Sequence, residues 1–194
     1  MVKQLLAVRL MGSESIGRVS PDHWLSGAQN RSVQVVSKNG IYGAGMIYRD
    51  EIVTALPLVK TVSAEETVLV SYNDETLAPA WICAKNGEGH IAVLKQEYLY
   101  RAEKPTLGLL SQISGNTLFL VHPKRGVLPV EGDSICREQE VPDLDENPKK
   151  NTAGFQGSSI YSHNGFFIGM VIGCKNNHPD RLLAVPVPSI FIQD

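Results

Sequence analysis

The sequence predicts an all-β, two-lobed fold, and three observations carry that expectation. Seventeen glycines and eleven prolines are spread along short apolar runs, which suits many short strands and turns better than helices. Asn-Gly sits between hydrophobic runs at Asn39-Gly40 and Asn164-Gly165, the strongest short-range hairpin signal. With 194 residues, 43% hydrophobic and 20% charged, the chain can form one two-lobed domain or two small ones around a real core. Such a composition argues against disorder.

In chain order, residues 1–31 read as an N-terminal cap packed on the first lobe. Leu5 to Met11 fits a strand or a short helix, and Ser20-Pro21-Asp22-His23-Trp24-Leu25 reads as a helix start with Ser20 as N-cap. From Ser32, Val33, Val35 and Ser37 alternate with Gln34, Val36 and Lys38, and Gly43–Tyr48 returns as a strand after the Asn39-Gly40 turn. Arg49-Asp50-Glu51 then turns into Ile52-Val53-Thr54-Ala55. Thr67–Tyr72, a polar turn at Asn73-Asp74-Glu75, and Ala78–Ala84 form a further hairpin, and His90–Lys95 adds a strand. These elements make a first lobe over 32–100, and the remainder makes a second over 101–194. There, Val130–Cys136 reads as a strand following the Gly115–Gly126 segment. Residues 137–153 are polar and proline-containing and read as an exposed, mobile loop. A glycine-flanked loop, Gly154-Phe155-Gln156-Gly157-Ser158-Ser159, leads to a hairpin with a two-residue turn at Asn164-Gly165. Asn176–Asp180 reads as a loop containing His178, and Leu182–Ile190 as the closing strand.

Several function classes are disfavoured by composition. A net charge of −2 gives no electrostatic reason to expect nucleic acid or an anionic membrane. No apolar run is long enough to span a bilayer. Arg9 interrupts the apolar stretch after the basic start, and no small-residue cleavage site follows. The expectation is a protein that stays in the cytosol unless a leader has been removed. Cys83, Cys136 and Cys174 are an odd set and read as free, mostly buried thiols, with a Cys136–Cys174 bridge open if the chain is secreted. His23, His90, His122, His163 and His178 show no close metal-ligand spacing, so no metal or other cofactor is expected. They read instead as solvated or capping side chains.

The ordered motifs resemble those of chymotrypsin-fold serine proteases, in particular the HtrA-like bacterial branch. Gly154–Ile160 resembles that family's Gly-Asn-Ser-Gly-Gly-Pro loop, and the hairpin carrying Gly165 and Gly169 resembles the one that follows it. Gly43–Ala55 resembles "GSGFVI…GYIVTNAHVV", His90–Lys95 resembles "DIAVLKI", and Gly115–Gly126 resembles "G..VLAIGNPFG". The resemblance spans residues 33–192 and implies two six-stranded antiparallel β-barrels, a chymotrypsin-like double barrel.

Residue by residue, it also implies a degenerate catalytic triad. Aligned on Gly43, Gly45 and Thr54, the general-base position falls on Pro57; the orienting carboxylate falls on His90 and the nucleophile on Gln156. Proline has no titratable side chain and a carboxamide is no nucleophile toward peptides. Gly154, Phe155, Gln156 and Gly157 match the oxyanion loop, whose turn can survive without the triad. From this the chain reads as an inactive pseudoprotease, not an enzyme, that binds a protein or an extended peptide by strand addition. Two alternatives remain: a hydrolase with a rearranged nucleophile at Ser158, and a metal-binding domain around His90.

Overall fold

The computed structural model describes residues 4–10, 24–37, 40–72, 76–87, 90–98, 105–108, 117–137, 144–145, 154–175 and 178–186. Strand β1 (Gln4–Leu10) is followed by helix α1 (Trp24–Arg31). Six short strands follow: β2 (Ser32–Val36), β3 (Tyr42–Tyr48), β4 (Glu51–Ala55), β5 (Thr67–Tyr72), β6 (Thr76–Asn86) and β7 (Ile91–Lys95). They close into an antiparallel barrel in the order β2-β3-β4-β7-β6-β5. A single turn of helix, α2 (Leu56–Val59), follows β4 and carries Pro57 at its start, where a missing N–H costs nothing.

Alternation explains why this half closes. Val33, Val35, Val68 and Val70 point inward with Ile47, Ile52 and Leu94, all at most 1% exposed, while Gln34, Val36, Thr67 and Leu69 beside them are half-buried or exposed. Burying each such side chain contributes about 1.5–3 kcal/mol, so a one-residue slip in any strand would forfeit several of these at once.

The other strands build a second sheet: β8 (Thr117–His122), β9 (Gly126–Arg137), β10 (Leu144–Asp145), β11 (Ser159–Tyr161), β12 (Phe167–Lys175) and β13 (His178–Pro186). Their order is β10-β12-β11-β8-β9-β1-β13, and β13 also pairs back with β12. The core of this half holds Val8, Leu118, Leu120, Ile160, Val171 and Leu182. Between the halves lies a seam of Met46, Val53, Ile91, Val121, Tyr161, Phe167 and Met170, with Ala28 of α1.

The placement of β1 departs from the expected cap on the first lobe. Leu6 pairs with Ile135 of β9 on one side and with Ala184 of β13 on the other, so the strand is interior to the second sheet. A short apolar run does not reveal its partners, because periodicity alone cannot separate a buried strand from a helix segment. α1 begins at Trp24, and the expected cap at Ser20 lies outside the described residues. His178, expected in a loop, opens β13 opposite Lys175. Most of the 137–153 loop also lies outside the described residues, but Leu144 and Asp145 pair with Lys175 and Cys174.

Both Asn-Gly hairpins use one device. The Ser37 amide donates to the Ile41 carbonyl (2.8 Å) and the Ser162 amide to the Phe166 carbonyl (2.9 Å). Each loop closes with a glycine amide donating to the serine carbonyl at 3.0 Å, from Gly40 and from Gly165. Those glycines have φ of 71° and 81°, the left-handed region where a side chain is strained. The connection at 163–165 is therefore a three-residue loop ending in a left-handed glycine, not the expected two-residue turn. At Gly165 space also forbids a side chain, because a Cβ would sit 2.4 Å from Cγ of Trp24.

Candidate functional site

Three sequence-distant positions meet at one end of the first barrel. Gly45 of β3 pairs with Thr54 of β4, and Ala55 of β4 pairs with Ile91 of β7. Pro57 lies two residues past Ala55 and His90 one residue before Ile91, so topology brings both to the same edge. The His90 backbone has φ of 54°, and its carbonyl accepts the Leu56 amide at 2.8 Å, which fixes the start of α2. Pro57 is buried and His90 half-buried.

The loop from the second half reaches that edge. The amide of Ala44 donates to the Gln156 carbonyl at 2.7 Å, and Thr54 Oγ1 donates to the Ala44 carbonyl, also at 2.7 Å. Gly157 has φ of 84°, and a Cβ there would lie 1.7 Å from the Ala44 carbonyl oxygen. No residue but glycine can let the two backbones approach so closely. The turn closes with the Ser158 amide donating to the Phe155 carbonyl at 3.0 Å, and the Gly157 amide donates to Val171 at 2.8 Å. The Gly157 and Ser158 amides are therefore already engaged within the fold.

The side chains of the loop are buried. Gln156 is 1% exposed, and its Nε2 donates to the Ile172 carbonyl of β12 at 2.9 Å. The β12–β13 register shifts between Val171 and Gly173, so Ile172 sits on a bulge whose carbonyl Gln156 serves. Ser158 and Ser159 are fully or nearly fully buried, and neither hydroxyl has a hydrogen-bond partner. Ser158 is thus not presented to solvent.

His122 is the residue sequence reasoning missed. It is buried rather than solvated, at the end of β8. Its Nδ1 lies 3.1 Å and 3.0 Å from the amides of Lys124 and Arg125, which donate to it. That leaves Nε2 to carry the proton and donate to the Gly154 carbonyl at 3.1 Å. Burial pushes the imidazole down to about 4, opposed by the Gly154 hydrogen bond and helped by the charges of Arg125 and Lys124. The ring also meets Phe155 edge-on at 5.5 Å, and the Arg125 guanidinium lies 5.1 Å from the centre of the Phe155 ring. His122 is a positioning residue: it ties the β8–β9 turn to the start of the Gly154–Gly157 loop. Its place in the inward-facing alternation of β8 is the one signal that could have found it. Among the described residues, no three His, Cys, Asp or Glu side chains group to hold a metal, and no helix is long and apolar enough to cross a membrane.

No protein-family model and no curated protein sequence matches the chain. Solved structures do match it. A mutant of the Rv3671c protease of M. tuberculosis in its inactive form superposes with a TM-score of 0.63 at 13% identity, covering 93% of both chains. The same protease in its active form gives 0.62 at 14%, covering 87% of this chain and 81% of that one. A human pathogenic astrovirus serine protease gives 0.60 at 13%, covering 85% and 94%. The fold is that of trypsin-like serine proteases. At such identities the likeness is one of architecture.

One expectation is overturned here. The residue types at Pro57, His90 and Gln156 led to the reading that the chain is not an enzyme. Its trypsin-like fold is shared with a protease in its active form and with a viral serine protease. Three side chains set against a motif do not remove a chain with this architecture from among the enzymes, and the non-enzyme reading does not stand.

Proposed function

We propose that this trypsin-like domain takes a protein or peptide segment in extended conformation at the junction of its two halves. The working unit in this reading is the pair of lobes over 32–100 and 101–194, with β1 completing the second. The observation that carries it is the bulge at Ile172, whose carbonyl is held by a side-chain amide, Gln156 Nε2, rather than by a neighbouring strand. A peptide N–H that replaced the glutamine amide at that acceptor would add to β12 through backbone hydrogen bonds. The turn at Gly154–Gly157, fixed to β3 by the Ala44 amide, supports the reading by setting a rigid floor beside the bulge.

Titration with unfolded, carboxymethylated casein tests this, with hydrogen exchange followed along β12. Saturable binding that protects amides around Ile172 is expected; no binding, or protection confined to other strands, would overturn it. Peptide release in the same samples would add hydrolysis to the binding reading. Fluorophosphonate labelling at Ser158 would identify that serine as the nucleophile, after a rearrangement that exposes it.

A further inference from the structure

On the outer face of the first barrel a polar cavity lies beside a row of exposed apolar side chains. A cavity of about 290 Å³ opens between α1, β2 and β5 on one side and the His122–Gly126 turn on the other. Gln29, Asn30, Ser32, Gln34 and Ser71 line it together with His122, and among the described residues no carboxylate, lysine or arginine does. Both nitrogens of the His122 ring in its wall are already engaged. Ser32 is only 7% exposed, and its hydroxyl makes no hydrogen bond, a state that costs free energy until a partner arrives.

The strand register continues this cavity into an apolar shelf. Gln34 pairs with Ser71, and Ser71 with Leu77. Two residues along, on the same face, a cross-strand row runs Tyr42, Val36, Leu69, Pro79. Tyr42 is 59% exposed, Leu77 57% and Leu69 39%, so these side chains leave an unusual amount of apolar surface in water at one place. Cavity and shelf are one pleat repeat apart, about 6.6–6.8 Å.

We propose that cavity and shelf together bind an extended segment of a partner protein, in which an uncharged hydrogen-bonding side chain lies two residues from a large apolar one. An extended chain repeats its own side chains on one face at that same spacing. An asparagine, glutamine, serine or threonine side chain finds amide and hydroxyl partners in the cavity. A carboxylate or ammonium would lose its water with no opposite charge among the lining residues to replace it. The apolar residue then covers Leu69 and Leu77. This site is independent of strand addition at Ile172 and reads out on different amides.

The test uses the whole chain and two capped peptides, Ser-Gln-Val-Leu-Ser and Ser-Glu-Val-Leu-Ser, followed by amide chemical shifts. The glutamine peptide should shift Ser32, Gln34, Ser71 and Leu77 saturably, and the glutamate peptide should bind about tenfold more weakly or worse, a difference near 1.4 kcal/mol. Leu77→Ser, at an exposed position, should weaken the glutamine peptide about fivefold or more while leaving the spectrum of the free protein otherwise intact. Equal binding of both peptides, no shifts at saturating peptide, or shifts confined to residues 154–157 and 170–174 would overturn the proposal. So would loss of self-association in Leu77→Ser, which would assign the shelf to a second copy. Shifts of the same amides by glucose as large as those by the peptide would assign the cavity to a sugar instead.

Discussion

The two halves of the molecule are built from the same kind of strand but by different rules. The first closes from one continuous stretch, β2 to β7, in which every strand pairs within 32–95. The second gathers β1 from one end of the chain and β8 to β13 from the other, and a bulge at Ile172 is held by a side chain of the interlobe loop. Local hairpins need little loop closure before their contacts are made, whereas distant strands must wait for theirs. The first half can therefore define itself, while the second depends on contacts that lie outside any short window of sequence.

Breaking the join between the halves should have the largest effect. Gly157→Ala places a Cβ against the Ala44 carbonyl at a left-handed φ, and should cost about 3–5 kcal/mol. Urea unfolding followed by far-UV dichroism should then separate into two steps, the first barrel melting last. A single transition at the wild-type midpoint would mean the loop can retreat from β3 without loss.

Acid should act on the second half through His122. The folded imidazole titrates near 4, while an unfolded histidine titrates near 6.5. Between these values the unfolded chain binds the extra proton, so stability falls as pH drops from about 6.5 to about 4 and is flat with respect to this group outside that window. The loss should reach about 3 kcal/mol, and His122→Gln should flatten that limb of the curve. An unchanged slope in the variant would remove His122 as its cause.

Gln156→Ala tests a smaller bond in the same seam. It leaves the Ile172 carbonyl without its donor and should cost about 1–3 kcal/mol, with faster exchange confined to β12. Uniformly faster exchange in both halves would show that they melt as one unit. At the bottom of the scale, Glu51→Ala removes an ion pair with Lys95 at 3.4 Å whose side chains are 40% and 49% exposed. Its cost should stay below about 0.5 kcal/mol in thermal unfolding at ordinary salt; a larger loss would mean that pair props the barrel.

This contrast also explains what could be read from the sequence. The all-β class and the first barrel were legible because Val33, Val35, Val68 and Val70 alternate locally and Asn39-Gly40 marks a hairpin. Gly43, Gly45 and Thr54, the anchors of the family-like motif, lie on the paired strands β3 and β4, where Gly45 faces Thr54. The partners of β1 were illegible, because Leu5–Leu10 carries no alternation that names β9 or β13. The loop Gly154–Gly157 was found from its glycines. Its attachment through Ala44, Gln156 and His122 was not, since a backbone carbonyl looks the same in every residue. Residue type alone also misled at Pro57, His90 and Gln156, where it suggested a loss of enzymatic function that the shared fold does not support.

The position of β1 bears on how the molecule is made. On the ribosome this strand emerges before the first barrel, yet its neighbours Ile135 and Ala184 are synthesised after that barrel is finished. The barrel can fold in the meantime, since all its strands are already out, and β1 is left as an apolar ribbon with both edges open. Unpaired edges of this sort invite pairing with other chains. Each nascent molecule thus passes through a period in which β1 has both edges open, and the arrival of β13 ends that exposure.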